Sequence, residues 1–117
     1  MYELPKKNIF RGKFEFSRVY NNGCSYSNHF LVIYILKSNE LTGKVGFAAG
    51  KKLGNAIIRN RVKRLLRETY RFCQNEIRND IAIIVVGRKP VVNAKLNDVM
   101  KAFKALCFKA KILRSSR

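Results

Sequence analysis

The chain has 117 residues, 47% of them hydrophobic, with 25 Lys or Arg against 7 Asp or Glu and a formal charge of +18. That length and apolar content suit one folded domain with its own core, and they exclude a disordered basic tail. So large an excess of one sign opposes compaction by self-repulsion, so a polyanion is the expected partner, nucleic acid ahead of an anionic membrane surface.

In chain order, the first sixteen residues are basic but lack the uninterrupted apolar stretch of a signal peptide. Lys13 to Tyr20 reads as a short helix with Phe16 and Tyr20 one turn apart on one face. Asn21-Asn22-Gly23 is expected to end it, with the glycine in a left-handed conformation. Cys24 to Asn28 is predicted to be a short edge strand. Phe30 to Leu36, rich in β-branched and aromatic residues, is predicted to be a strand. At seven residues it is also the longest apolar run, too short to span a membrane, which predicts a soluble cytoplasmic protein. A turn over Ser38 to Gly43 leads to a strand over Lys44 to Ala49, and a long helix follows from Asn55 to about Ile77. Ile81 to Val86 is unbroken apolar sequence, as a central strand covered on both faces requires. Gly87 to Pro90 ends it. Ala94 to Leu113 carries Leu96, Val99, Met100, Phe103, Leu106, Cys107 and Ala110 at helical spacing, with lysines on the outer face. The reading is a single α+β domain over residues 1–117, with short frayed ends at 1–7 and 114–117. Cys24, Cys73 and Cys107 lack zinc-site spacing and are expected to be small buried residues of a reducing compartment.

The most informative segment is Lys51 to Arg67, which holds seven Lys or Arg and no acid. Asn55 is placed to cap the helix that begins there. On a helical projection Ile58, Val62, Leu65, Leu66, Thr69, Phe72 and Cys73 form an apolar stripe. Arg59, Asn60, Lys63, Arg64, Arg67 and Arg71 fill the complementary arc, and Arg61 lies alone beyond the stripe. A merely solvated face mixes signs, whereas this one repeats like charges at i and i+4, each pair costing about a few tenths of a kcal/mol. A phosphate-bearing partner accounts for that. Lys51 and Lys52 flank the helix N-terminus, itself favourable to anions. The preceding Gly46-Phe47-Ala48-Ala49-Gly50-Lys51 is one residue short of a nucleotide-binding P-loop, and Lys52 stands where a Ser or Thr would hold magnesium.

Lys51-Lys52, Gly54-Asn55-Ala56, Arg59-Asn60-Arg61, Lys63-Arg64 and Arg67-Glu68 together resemble the signature of the bacterial ribonuclease P protein component. The resemblance extends to the Phe16/Tyr20 helix, the Asn28 to Tyr34 strand, the Ile81 to Val86 strand with Arg88 after it, and the closing helix. It implies an α-β-β-β-α-β-α sandwich with a small central sheet and a left-handed βαβ crossover, against the usual right-handed rule. It also implies the role of protein subunit in the ribonucleoprotein endonuclease that removes 5′ leaders from precursor tRNA. There the RNA subunit performs the Mg²⁺-dependent hydrolysis, and the protein binds no cofactor tightly. By this resemblance Lys51, Lys52, Arg59, Asn60, Arg61, Lys63, Arg64 and Arg67 are expected to meet the catalytic RNA. Phe16, Tyr20 and Tyr34 match aromatics of a cleft that holds the precursor tRNA leader. Tyr20 replaces the commoner Phe, and Gly50 stands where a serine is usual. Neither a membrane nor a further protein partner is implied.

Aromatic faces beside positive grooves do bind unpaired bases. For Phe16 and Tyr34, core packing and leader contact both stand open; Phe10, Phe14, Phe47, Phe72, Phe103 and Phe108 are expected in or at the core. The single histidine, His29, and the scattered Glu3, Glu15, Glu40, Glu68, Glu76, Asp80 and Asp98 form no acid–base or nucleophile set. Catalytic and metal-ligating residues are therefore expected to be absent, with Glu68 paired to a nearby arginine. A ribosomal RNA-binding protein or a DNA-reading regulator fits the charge, but not the signature.

Overall fold

The computed structural model describes residues 4–10 and 12–114. The elements are α1 (Lys13–Asn22), β1 (Cys24–Ser27), β2 (Leu31–Leu36), β3 (Val45–Ala49), α2 (Ala56–Cys73), β4 (Ala82–Gly87) and α3 (Leu96–Lys109). The expected α-β-β-β-α-β-α order is the observed one. Of the ends expected to fray, residues 1–3 and 115–117 lie outside the described residues; Lys6–Asn8 form a 3-10 turn.

The sheet runs β1-β2-β4-β3, antiparallel except between β3 and β4. Two parallel neighbours need a crossover, and α2 supplies it. Its face of the sheet carries Leu31 and Ile33, Val45, Phe47 and Ala49, and Ile83 and Val85. Against these pack Val62, Leu66 and Tyr70 of α2 and Val99, Phe103 and Leu106 of α3. The approach is close: a Cβ on Gly87 would stand 2.9 Å from Val62 Cγ1 and 3.0 Å from Val91 Cγ1. On the opposite face α1 buries Val19 over Ala82 and Ile84, with Phe10 and Leu41 beside them. The outer edge of β3 is covered by the N-terminal segment, whose Phe10 N–H donates to Val45 O at 2.8 Å.

Several expectations are corrected. Gly23 ends α1 in an extended conformation (φ −91°), not a left-handed one. Glycine is needed there for space: a Cβ would lie 2.7 Å from the carbonyl oxygens of both Val19 and Ile35. α2 stops at Cys73 rather than near Ile77, and a 3-10 turn over Gln74–Glu76 follows. α3 is also shorter than its apolar spacing suggested, because Ile112 leaves the helix to cap it. Cys24 is exposed on edge strand β1, whereas Cys73 and Cys107 are buried as expected. Phe14 and Phe108, expected in or at the core, are 72% and 76% exposed.

Asn28 fastens the β1–β2 turn. Its Oδ1 accepts from the N–H groups of Phe30 and Leu31, and its Nδ2 donates to Ala102 O in α3 at 3.0 Å. Glu15 anchors α1 by accepting from Gly12 N at its N-terminus and from Lys44 Nζ at 3.2 Å.

Buried groups in the α2–α3 core, Cys107 and Tyr70 foremost, make stability depend on pH. Burial, with the neighbouring Cys73 as a lesser cause, pushes the Cys107 thiol up to about 12. Burial does the same for the Tyr70 hydroxyl, also to about 12, with Cys107 beside it contributing less. Both are neutral in folded and unfolded chains below about pH 8. Above the ordinary thiol and phenol values, 9.0 and 10.0, the unfolded chain releases protons that the folded chain retains, so stability falls as pH rises. Urea unfolding is expected to show a plateau to about pH 8 and a decline between about 9 and 12. Cys107→Ala should make that decline shallower; an unchanged slope would mean this thiol does not contribute.

Candidate nucleic-acid interface

The start of α2 is built by local chemistry. Gly50 to Leu53 turn through a 3-10 helix, and Gly54 then adopts φ +142°, a conformation that L-residues avoid. A side chain there would also strike Ile58, whose Cδ1 lies 2.8 Å from the ideal Cβ position. Asn55 Oδ1 accepts from Ile58 N at 3.1 Å, the expected N-cap.

The buried stripe of α2 is Val62, Leu66, Thr69, Tyr70 and Cys73. It is rotated toward Tyr70 from the stripe the projection assigned, because Tyr70 packs between Phe47 and Phe103. The rotation sorts the cations. Arg59 is half-buried and its Nε donates to Ala49 O at 3.1 Å, tying α2 to the end of β3. Lys63 is half-buried as well, and Arg71 grips Glu68 with Nε–Oε1 at 2.6 Å and lies over Phe72. That pairing holds the Glu68 carboxyl below its ordinary value. Lys51, Lys52, Asn60, Arg61, Arg64 and Arg67 are exposed. Arg61 is not isolated, since the helix places it beside Ile57 and Arg64 on the open surface. Ile57, 77% exposed, is an apolar residue amid these cations that the projection passed over.

The ion pairs among the described residues use Glu15, Glu40, Glu68, Glu76 and Asp80. None reaches Lys51, Lys52, Arg61, Arg64 or Arg67. The cations are thus concentrated on one face without an ion pair among the described residues, the neighbouring Glu68 being engaged by Arg71.

A second feature lies on the sheet face that α1 covers. Strand register aligns Ser25, Tyr34, Ile84 and Gly46 in one row and Ser27, Val32, Val86 and Ala48 in the next. α1 seals the first of these rows at Ile84 and Gly46, whereas Val32, Val86 and Ala48 in the second are half-exposed. They form the floor of a groove beside an aromatic row. Phe10 meets Phe16 edge-on with centroids 5.2 Å apart, Phe16 stacks on Tyr20 at 6.2 Å, and Tyr20 meets Tyr34 edge-on at 4.8 Å. Gly46 makes room for the row: a Cβ there would lie 2.6 Å from Phe10 and 2.7 Å from Phe16. Phe16 and Tyr34 are half-buried and Tyr20 is 38% exposed, so each ring both packs and presents an open portion. Burial, then the neighbouring Tyr34, raises the Tyr20 hydroxyl above its ordinary value, so at neutral pH it remains a donor. The structure therefore brings Phe16, Tyr20 and Tyr34 together and adds Phe10, which sequence spacing did not connect to them. Arg88 and Gly50-Lys51 leave β4 and β3 at the same end of the sheet, where Ala49 pairs with Gly87. Arg88 Nη1 donates to Asn28 O at 2.7 Å there. Among the described residues no group of three His, Cys, Asp or Glu is suited to hold a metal ion, and no helix is long and apolar enough to cross a membrane.

The two kinds of arginine on α2 are separable by experiment. Arg59→Ala should cost about 1–2 kcal/mol of stability through the lost bond to Ala49 O. Arg64→Ala, fully on the open face, should stay within about 0.5 kcal/mol of the unmodified chain. Urea unfolding of both variants checks the difference.

The sequence model of the ribonuclease P family matches residues 4–111. The ribonuclease P protein component of Thermoanaerobacter sp. (strain X514) is 38% identical over 96 residues, covering 82% of this chain and 83% of that protein. That of Halalkalibacterium halodurans is 36% identical over 112 residues, covering 95% and 94%. Among solved structures, the Staphylococcus aureus RNase P protein superposes with a TM-score of 0.79 at 28% identity, over 92% of this chain and 98% of that one. The Thermotoga maritima RNase P protein shares the fold, with a TM-score of 0.72 at 24% identity over 83% and 94%. With sequence, fold and basic helix in agreement, the chain belongs to the ribonuclease P protein family.

Proposed function

We propose that this chain is the protein subunit of a ribonuclease P ribonucleoprotein, docking α2 on the catalytic RNA and holding the 5′ leader of precursor tRNA in the aromatic groove. The observation that carries the reading is the strip of cations without ion pairs among the described residues, Lys51 and Lys52 on the turn before α2 and Arg61, Arg64 and Arg67 on the helix, whose other face is locked into the core. Rigid spacing matters because a flexible basic tail loses conformational entropy on ordering, whereas a preformed strip has already lost it on folding. Asn60 within the strip adds a side chain that both donates and accepts, able to read a ribose or base edge. Arg59 supports the strip by fixing the helix to β3.

The groove takes a different part of the substrate. Its half-exposed rings offer stacking surfaces to unpaired bases, worth about 1–3 kcal/mol per base, while its apolar floor discriminates little between sequences. Mature tRNA lacks the leader, so contacts here favour precursor over product. In this reading hydrolysis belongs to the RNA. The chain's own contribution is positioning and charge, since its cations screen phosphate repulsion between two large RNAs.

Cleavage of precursor tRNA by the RNA subunit at low Mg²⁺ should be much faster with this protein than without it. Equal rates would refute the assignment. Tyr34→Ala should reduce the preference of the assembled enzyme for precursor over mature tRNA while leaving assembly with the RNA subunit nearly intact, which filter binding of each partner reports.

A further inference from the structure

A second basic surface lies at the other pole of α2. Arg114 donates from its backbone N–H to Glu76 O at 2.7 Å and from Nε to Ile77 O at 3.1 Å, just beyond the C-terminus of α2. Lys51 and Lys52 precede its N-terminus, and the eighteen-residue helix between is about 27 Å long. Two adjoining open cavities of about 620 and 550 Å³ share Lys111, Leu113 and Arg114. Phe108 and Lys109 line the first, and Arg78 the second.

Three observations set this surface apart from an ordinary solvated helix end. Phe108 is 76% exposed, whereas Val99, Phe103 and Leu106 of the same helix are buried and Leu96 and Met100 are partly so. Next, the charges are unbalanced. Beside Arg78, Lys104, Lys109, Lys111 and Arg114, the ion pairs among the described residues use Glu76, engaged by Lys104 at 3.3 Å, and Asp80, engaged by Arg78 and, at 3.9 Å, by Lys37. No ion pair among the described residues reaches Lys109, Lys111 or Arg114. Finally, Lys111 holds φ +61°, alone among the described non-glycine residues in having positive φ. It occupies the position after a helix where glycine is favoured. Lys111 N donates to Phe108 O at 3.1 Å and Ile112 N to Cys107 O at 3.0 Å, the paired bonds of a Schellman cap. Those bonds also satisfy helix-end carbonyls that would otherwise repel an anion. A lysine there is less stable than a glycine would be, and such strain points to a role for the side chain.

We infer that Phe108, Lys109, Lys111 and Arg114 form a second RNA-binding surface, which stacks one unpaired base on the Phe108 ring and holds its flanking phosphates on the three cations. An exposed aromatic face among unpaired cations is what a single-stranded or bulged nucleotide requires. This surface would let the chain engage two RNA segments at once, one at each pole of α2, whichever RNA the first pole takes.

The test uses the full chain and a short single-stranded RNA carrying 4-thiouridine, with photo-crosslinks mapped by peptide. Crosslinks are expected within residues 104–114. Phe108→Ala should raise the RNA concentration for half-maximal crosslinking there by about fivefold or more. Lys111→Gly should act in two directions, raising the midpoint of thermal unfolding while weakening that crosslink. Absence of crosslinks in 104–114, or a Lys111→Gly chain that is more stable yet crosslinks unchanged, would overturn the proposal. So would a Phe108→Ala chain that loses binding to phosphatidylglycerol vesicles but keeps its RNA crosslinks. Loss of groove crosslinks alone would count against leader binding and leave this surface standing.

Discussion

The parallel pairing of β3 with β4 is the constraint on which the rest of this molecule depends. Parallel neighbours cannot be joined by a tight turn, so the chain between them must cross a face of the sheet, and here it crosses as α2. To seat that helix, Gly87 gives up its side chain to Val62, and Tyr70 fits between Phe47 and Phe103. Arg59 completes the join by reaching Ala49 O at the end of β3. Once these contacts fix the rotation of α2, the direction of every cation on it follows. The strip is rigid because its far side is core.

The two faces of the sheet are covered unequally, and that inequality makes the groove. α2 and α3 together seal one face, whereas the other receives only α1, ten residues and about 15 Å long. A helix so short closes the rows at Ala82 and Ile84 and leaves Val32, Val86 and Ala48 partly open. Its Phe16, resting over Gly46, and its Tyr20 form the wall. The basic strip and the groove thus arise on opposite faces from one asymmetry of layering. They converge at the end of the sheet where Gly50-Lys51 and Arg88 emerge.

Electrostatics follow the same division. The described acids that pair do so where they fasten structure: Glu15 holds α1 to Lys44, Glu68 grips Arg71, and Asp80 pairs with Arg78 at the turn into β4. Exposed pairs of this kind contribute little each. Their placement matters more than their strength, because it leaves the N-terminal half of α2 and the C-terminal hook of α3 positive without local neutralisation. The polar choice of the fold is therefore where acids are withheld.

Sequence by itself determined the element order, the identity of the basic helix, its Asn55 cap and, through Arg59-Asn60-Arg61 and its neighbours, the family. Each of these is a local property, since periodicity, capping and a contiguous motif are written along the chain. It also marked Phe16, Tyr20 and Tyr34, but for Phe16 and Tyr34 left packing and binding as equal readings, because burial is a property of the assembled layers. Tertiary structure decided the rotation of α2, which moved Arg59 toward the core and brought Arg61 into the open surface; a projection cannot foresee that Tyr70 is claimed by the sheet. Only it could place Phe10 in the aromatic row and expose Phe14 and Phe108, since an aromatic residue has the same helical spacing whether or not another layer arrives to cover it. The need for glycine at Gly23 likewise came from a neighbouring strand, not from its own backbone angles. Contacts between residues distant in the chain are set by how layers meet, and no local pattern encodes them.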